Sequence, residues 1–285
     1  MTALRQRMNE DMKLRNFSPN TREAYVRAVA TFAKHFKKSP QELAAEHVRE
    51  YLLHLLQERH ASWSLYNQTR CALQFFFSIT LGQDERFDRV PCAREPKRLP
   101  SVLSIEELQR MFVVAANLKE KAMLMTLYGG GLRASELTSL RAADIDSHRM
   151  LIHVRQGKGQ KDRVIKLASH LLTVLREYWK KYRPKDWLFP RPTLPDQALT
   201  RTDVFRIVAR TARRAGVTRP VSPHTLRHSY ATHLLDAGGD LRTIQVLMGH
   251  KHIRTTSIYM HVSQAKIDAA PSPLDLLYAS QTPPQ

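Results

Sequence analysis

Three prolines within ten residues, Pro91, Pro96 and Pro100, divide this chain in two. Each proline fixes its own φ, removes a backbone donor and pushes the preceding residue out of the helical region. No continuous helix can therefore run from about residue 88 to residue 101. On the N-terminal side the apolar residues recur at helical spacing: Tyr25, Val26, Val29, Phe32, Ala33 and Phe36, then Val48, Tyr51, Leu52 and Leu55, then Leu65, Leu73, Phe76 and Phe77. Asn20-Thr21-Arg22-Glu23 offers a cap for the first long helix, and Ser62 or Ser64 one for the third. A chain of 285 residues is long enough for two cores. The expected organisation is a helical domain over 1–88, a linker over 89–101 and a larger domain over 102–285.

Beyond the linker the pattern changes character. Ser104 with Glu107 three residues on is a capping box that opens a helix through Ala116. A second apolar helix, Ala122 to Tyr128, stops at Gly129-Gly130-Gly131, and a short one follows from Ser135 to about Leu140. Met150–Arg155 and Arg163–Leu167 alternate with period two and flank Gly157-Lys158-Gly159-Gln160-Lys161-Asp162, the pattern of a β-hairpin. Helices are expected again at 169–182, 202–215, 223–236, 241–248 and 255–263. There is no internal repeat. The fold class is mainly α: a helical N-terminal domain, then an α+β domain with one small antiparallel sheet.

The charge balance narrows the partners. Lys and Arg number 45 against 26 Asp and Glu, a formal charge of +19. On an ordered chain with 42% apolar residues, that surplus points to a polyanion, because each neutralised phosphate releases condensed counterions. In the linker, Arg89, Arg94, Lys97 and Arg98 suit a strap along a phosphate backbone, although a merely soluble linker would look the same. Two cysteines are too few for a disulfide framework or a cysteine zinc site. No segment approaches the roughly 20 apolar residues that span a bilayer. A soluble, cytoplasmic protein without membrane contact is expected.

The chemistry concentrates in the second half. Ser222-Pro223 marks a helix start with proline at the first position. His224 and Arg227, three apart, share a face of its first turn, where free N–H groups already favour a phosphate. Arg133 follows three glycines and precedes a helix, so a second guanidinium could reach the same anion. Lys158 sits between glycines on a hairpin tip thin enough for a DNA groove, with Lys161 close behind. Gly249 reads as a helix stop that leaves His250 free, and Tyr259 lies shortly beyond. Taken singly, each of these is also an ordinary surface feature. His224 and His228, four apart, could ligate zinc, but no His-Glu-x-x-His or Walker A motif is present, so no metal or other cofactor is expected.

Gly131-Leu132-Arg133-Ala134-Ser135-Glu136-Leu137, Gly157-Lys158-Gly159, His224-Thr225-Leu226-Arg227-His228, Leu247-Met248-Gly249-His250 and Thr255-Thr256-Ser257-Ile258-Tyr259-Met260-His261-Val262 resemble, in order and spacing, the motifs of tyrosine recombinases. The resemblance covers almost the whole chain, since residues 1–88 look like that family's helical core-binding domain. It implies a site-specific recombinase that cleaves and rejoins DNA through a 3′-phosphotyrosyl intermediate. Arg133 and Arg227 would clamp the scissile phosphate, and His250 would add a hydrogen bond. Tyr259 would attack phosphorus, and Lys158 would protonate the leaving 5′ oxygen. His224 would assist as base, with Glu136 orienting part of the site. The chemistry is consistent: fixed cationic donors favour the pentacoordinate state, and a phenol of pKa about 10 needs a base or a positive field to attack near neutral pH. Exchange of one phosphodiester for another needs no ATP.

The linker and core-binding segments look like those of integron integrases. The insertion those enzymes carry before the His-x-x-Arg helix is expected to be absent, as is an arm-binding domain ahead of residue 1. A Xer-like or transposon-borne integrase is therefore expected, acting as a homo-tetramer on two double-stranded DNA sites. The tail 270–285 carries Leu274, Leu276, Leu277 and Tyr278 behind Pro271-Ser272-Pro273, and the resemblance implies that it passes to the adjacent subunit. Covering its own domain is the alternative. Two other functions remain open: a type IB topoisomerase, which shares the chemistry, and a catalytically idle DNA-binding protein on the same fold.

Overall fold

The computed structural model describes residues 2–83, 100–155, 162–249, 253–257 and 259. Two compact units divide at Lys97–Arg98. The linker residues Arg94, Lys97 and Arg98 lie outside the described residues, as do Lys158, Lys161, His250 and the tail.

The first unit holds four α-helices among its described residues: α1 (Ala3–Leu14), α2 (Pro19–Phe36), α3 (Ala45–Gln57) and α4 (Trp63–Gln74). Helix α4 runs on into a π-helical stretch over Phe75–Thr80. Ser18, not the Asn20 segment, caps α2: its hydroxyl accepts from the Thr21 amide, with Pro19 at the first helical position. Proline there loses no helical hydrogen bond, which places the start two residues earlier than the Asn20 reading. Ser62 caps α4. The core gathers Met8, Met12, Phe32, Leu43, Phe76 and Phe77, and each such side chain contributes roughly 1.5–3 kcal/mol on burial.

The second unit begins with α5 (Ile105–Val113), whose capping box is complete: the Ser104 amide donates to Glu107 Oε2 at 2.8 Å and the Glu107 amide to Ser104 Oγ at 3.2 Å. Helix α5 ends three residues before the expected Ala116, and α6 (Leu118–Gly129) begins earlier than expected because Asn117 caps it. Then come α7 (Ala134–Ser139), β1 (Ile145–Asp146), β2 (Leu151–Val154), β3 (Arg163–Lys166), α8 (Ser169–Tyr182), α9 (Arg201–Arg214), α10 (Pro223–Asp236) and α11 (Leu241–Met248). The strands form one antiparallel sheet in the order β1-β2-β3, with Ile152 opposite Ile165 and Val154 opposite Arg163. Strand β1 has no counterpart in the sequence reading, because two residues are too few to alternate. Most of the helix expected at 255–263 lies outside the described residues, and Ile253–Thr255 form a 3-10 turn.

The large core of this unit draws side chains from α6, α8, α9 and the sheet, among them Leu124, Leu127, Tyr178, Val208, Ile152 and Ile165. A smaller cluster of Ala231, Leu235, Ile244 and Met248 buries Tyr259 between α10 and α11. No described helix is long and apolar enough to cross a membrane.

Candidate active site

Three elements of the second unit, α7, β3 and α10, meet at one carboxylate. Glu136, on the first turn of α7, is 6% exposed and faces three guanidinium groups. Arg163, the first residue of β3, grips it with a fork: Nη1 to Oε1 and Nη2 to Oε2, both 2.8 Å. Arg133, which precedes α7, donates from its amide to Oε2 at 2.8 Å and from Nη1 to Oε1 at 2.7 Å. Arg227, on α10, lies 3.7 Å from Oε2. Burial alone would push the Glu136 carboxyl up. The fork and charge of Arg163, the Arg133 amide and the charge of Arg227 outweigh that and hold it at about 2.

The arginines are also tied to main-chain carbonyls. Arg227 Nη1 donates to the Gly131 carbonyl at 2.6 Å, and Nη2 donates to the Met248 carbonyl. Arg133 Nη2 reaches the Gly249 carbonyl at 3.2 Å, and Arg163 Nε the Leu247 carbonyl at 2.8 Å. The acceptors at 247–249 form the C-terminal end of α11, where the helix dipole favours positive charge. Gly131 supplies its carbonyl from a left-handed turn with φ +55°, and a Cβ there would sit 2.5 Å from the Tyr230 ring. Any other side chain would push against that ring and move the acceptor of Arg227.

Tyr259 closes the site. It is 1% exposed, and its Oη lies 3.0 Å from Nδ1 of His228, which stands one residue beyond Arg227 on α10. Burial raises the phenol pKa, while Arg227 and Arg133 pull it down. Burial, with His224 and Arg227 nearby, lowers the His228 pKa to about 4, so its imidazole is neutral at pH 7. His224, one turn earlier, is lowered by burial and by the charges of Arg227 and Arg133; its ring centroid lies 6.1 Å from that of Phe205. Burial and the neighbouring Arg133 bring Arg227 down to about 10, still charged at neutral pH.

Residues 101–266 match the phage integrase family, and residues 4–85 match the phage integrase N-terminal SAM-like domain. The chain belongs to the phage integrase family. A putative integrase/recombinase, y4qK, of Sinorhizobium fredii is 44% identical over all of this chain and 92% of its own length. Tyrosine recombinase XerD of Listeria monocytogenes is 32% identical over 89% of this chain and 91% of its own. The crystal structure of XerA recombinase superposes with a TM-score of 0.54 at 27% identity, covering 99% of each chain. A XerH site-specific recombinase bound to palindromic difH substrate in a post-cleavage complex reaches 0.72 at 23% identity, over 93% of this chain and 83% of its own, a likeness of fold. This phage integrase family member is a site-specific DNA recombinase of the tyrosine class, a DNA strand transferase.

Of the site residues expected in this integrase-family chain, the structure brings Arg133, Glu136, His224, Arg227 and Tyr259 into one region. Lys158, His250 and the basic residues Arg94, Lys97, Arg98 and Lys161 lie outside the described residues. Two residues join that the sequence reading did not place here. Arg163 appeared there only as the edge of a strand. His228 had been weighed as a zinc ligand but not as a neighbour of Tyr259. Its spacing of four from His224 is a signal, but either histidine can meet the tyrosine, and only the position of Tyr259 decides between them. Among the described residues no group of three or more His, Cys, Asp or Glu side chains is arranged to hold a metal.

Proposed function

We propose that Tyr259 attacks the scissile phosphate of a DNA recombination site while Arg133 and Arg227 clamp it, leaving a 3′-phosphotyrosyl link. The observation that carries this reading is the placing of the Tyr259 hydroxyl on His228, one residue from Arg227, which shares the Glu136 carboxylate with Arg133. A phosphate at the two arginines would thus lie beside a phenol that is hydrogen-bonded to an imidazole one residue from Arg227. The guanidiniums favour the pentacoordinate state, whose charge exceeds that of the diester, and their anchoring to carbonyls removes the cost of orienting them during reaction. Each guanidinium carries five N–H donors, so bonds remain for an anion.

The proton acceptor is where the sequence and the geometry differ. The resemblance gives that part to His224, whereas the hydrogen bond favours His228, kept neutral by burial and so able to accept. By resemblance, His250 completes the grip on the phosphate and Lys158 protonates the 5′ oxygen, with Lys161 beside it. Residues 1–88 serve as the core-binding domain, and the basic linker residues Arg94, Lys97 and Arg98 follow the DNA backbone. Double-stranded DNA is the substrate, a homo-tetramer on two sites is the working assembly, and the tail is passed between subunits.

The deciding experiment is recovery and sequencing of DNA covalently attached to the protein, followed by a nicked duplex that carries the recovered site. The wild-type chain should accumulate an adduct, and Tyr259→Phe should bind the same duplex without forming one. An adduct with the phenylalanine variant would remove the central role of Tyr259. Supercoil relaxation without exchange of partners would favour the topoisomerase reading.

A further inference from the structure

Arg163 is almost enclosed, at 7% side-chain exposure, and all three of its nitrogens are directed inward. Two hold the oxygens of Glu136, and the third holds the Leu247 carbonyl at the end of α11. It therefore offers its fork to the carboxylate that the two clamp arginines share, not to a substrate. Without Arg163, the full negative charge of Glu136 would fall on Arg133 and Arg227 and reduce the field they present to a phosphate. With it, the carboxylate can orient those two side chains while a third cation offsets its charge. Arg163 also opens β3, five residues after Lys158 in sequence, so the same side chain ties that strand to α7 and α11.

We propose that Arg163 is a positioning residue of the phosphate clamp, acting through Glu136 to keep Arg133 and Arg227 oriented and unquenched. This rests on the reading of those two arginines as the clamp. A purely structural ion pair would look the same at rest, so the test must separate rate from folding.

The assay is the rate of covalent adduct formation on the nicked duplex, measured on the full chain alongside single-site binding and melting temperature. Arg163→Gln should bind the site normally and form adduct about tenfold more slowly or worse, the loss expected when a buried charged hydrogen bond is broken. Arg163→Lys keeps the charge but not the fork, so it should fall between that variant and wild type. If Arg163→Gln does not fold, a lysine variant at the wild-type rate would overturn the proposal. The double variant Arg163→Gln/Glu136→Gln should react faster than Arg163→Gln alone, because the uncompensated carboxylate is gone. Independent effects that multiply would indicate a structural role and overturn the proposal. So would an Arg163→Gln rate within about twofold of wild type. Restoration of that rate by sulfur at the 5′ bridging position would assign Arg163 to leaving-group chemistry instead. If wild type itself forms no Tyr259 adduct, the clamp reading fails; a wild-type adduct with an undiminished Arg163→Gln rate defeats only the present proposal.

Discussion

Replacing Glu136 by glutamine keeps the shape of the side chain and removes the charge on which three arginines converge. The carboxyl has an ordinary value of 4.5 and is held at about 2 in the fold. With each tenfold change in proton affinity worth about 1.4 kcal/mol, that difference corresponds to about 3 kcal/mol of stability at neutral pH. Breaking a buried ion pair by removing one partner costs about 3–5 kcal/mol, and both Arg163 and Arg227 would be left enclosed without their counter-charge. For a unit of this size each kcal/mol moves the melting temperature by about 2–4 °C, so a fall of roughly 6–20 °C is expected. The sign with pH follows from the direction of the shift. A carboxyl held below its unfolded value stabilises fully above about pH 4.5 and progressively less as pH falls towards 2. The gap between wild type and Glu136→Gln should accordingly be widest near pH 7 and should narrow below pH 4.5. Urea unfolding of both proteins across pH 3 to 7 measures that gap, and the other carboxylates cancel in the difference. A gap under about 0.5 kcal/mol at pH 7 would refute the reasoning, since it is the range of an ordinary surface substitution. A gap that stays constant with pH would refute it as well.

Three further outcomes are expected. His228→Ala should slow adduct formation by about a hundredfold, as loss of a general base does, and by more than His224→Ala; the reverse order on the nicked duplex would return the role to His224. Lys158→Ala should be slow on an ordinary phosphodiester and recover on a 5′-bridging sulfur substrate, whose leaving group needs no proton; equal slowness on both would end its assignment as general acid. Truncation after Ala270 should leave a folded chain that binds one site but no longer synapses or recombines, whereas a large fall in melting temperature would show that the tail belongs to its own core.

What could be read from the sequence follows how local each feature is. The Ser104–Glu107 capping box, the Ser222-Pro223 helix start and the Gly249 stop are specified within a few residues, and each stands where it was expected. Arg133, Glu136 and Arg227 announced themselves through motif spacing. Arg163 did not, because its partner lies 27 residues away and the pairing depends on the register of β3. An arginine at a strand edge carries no local sign of whom it will meet. Strand β1 was missed for a related reason: its two residues are strand only by virtue of Leu151 and Ile152 opposite them. The choice between His224 and His228 was equally long-range, since positions three and four residues apart share one helix face and only the arriving turn decides between them.

The convergence of Arg133, Arg163 and Arg227 on Glu136 has a practical side. Within that cluster three positive charges face one negative, so the fold itself carries a debt of anions. Any small oxyanion that enters can settle it and will stabilise the folded chain by mass action, in proportion to how far its concentration exceeds its dissociation constant. Sulfate or inorganic phosphate in a buffer would then preserve the protein while occupying the place proposed for the DNA phosphate. Conditions that give the most durable preparation and conditions that give the fastest strand cleavage should be opposite ones.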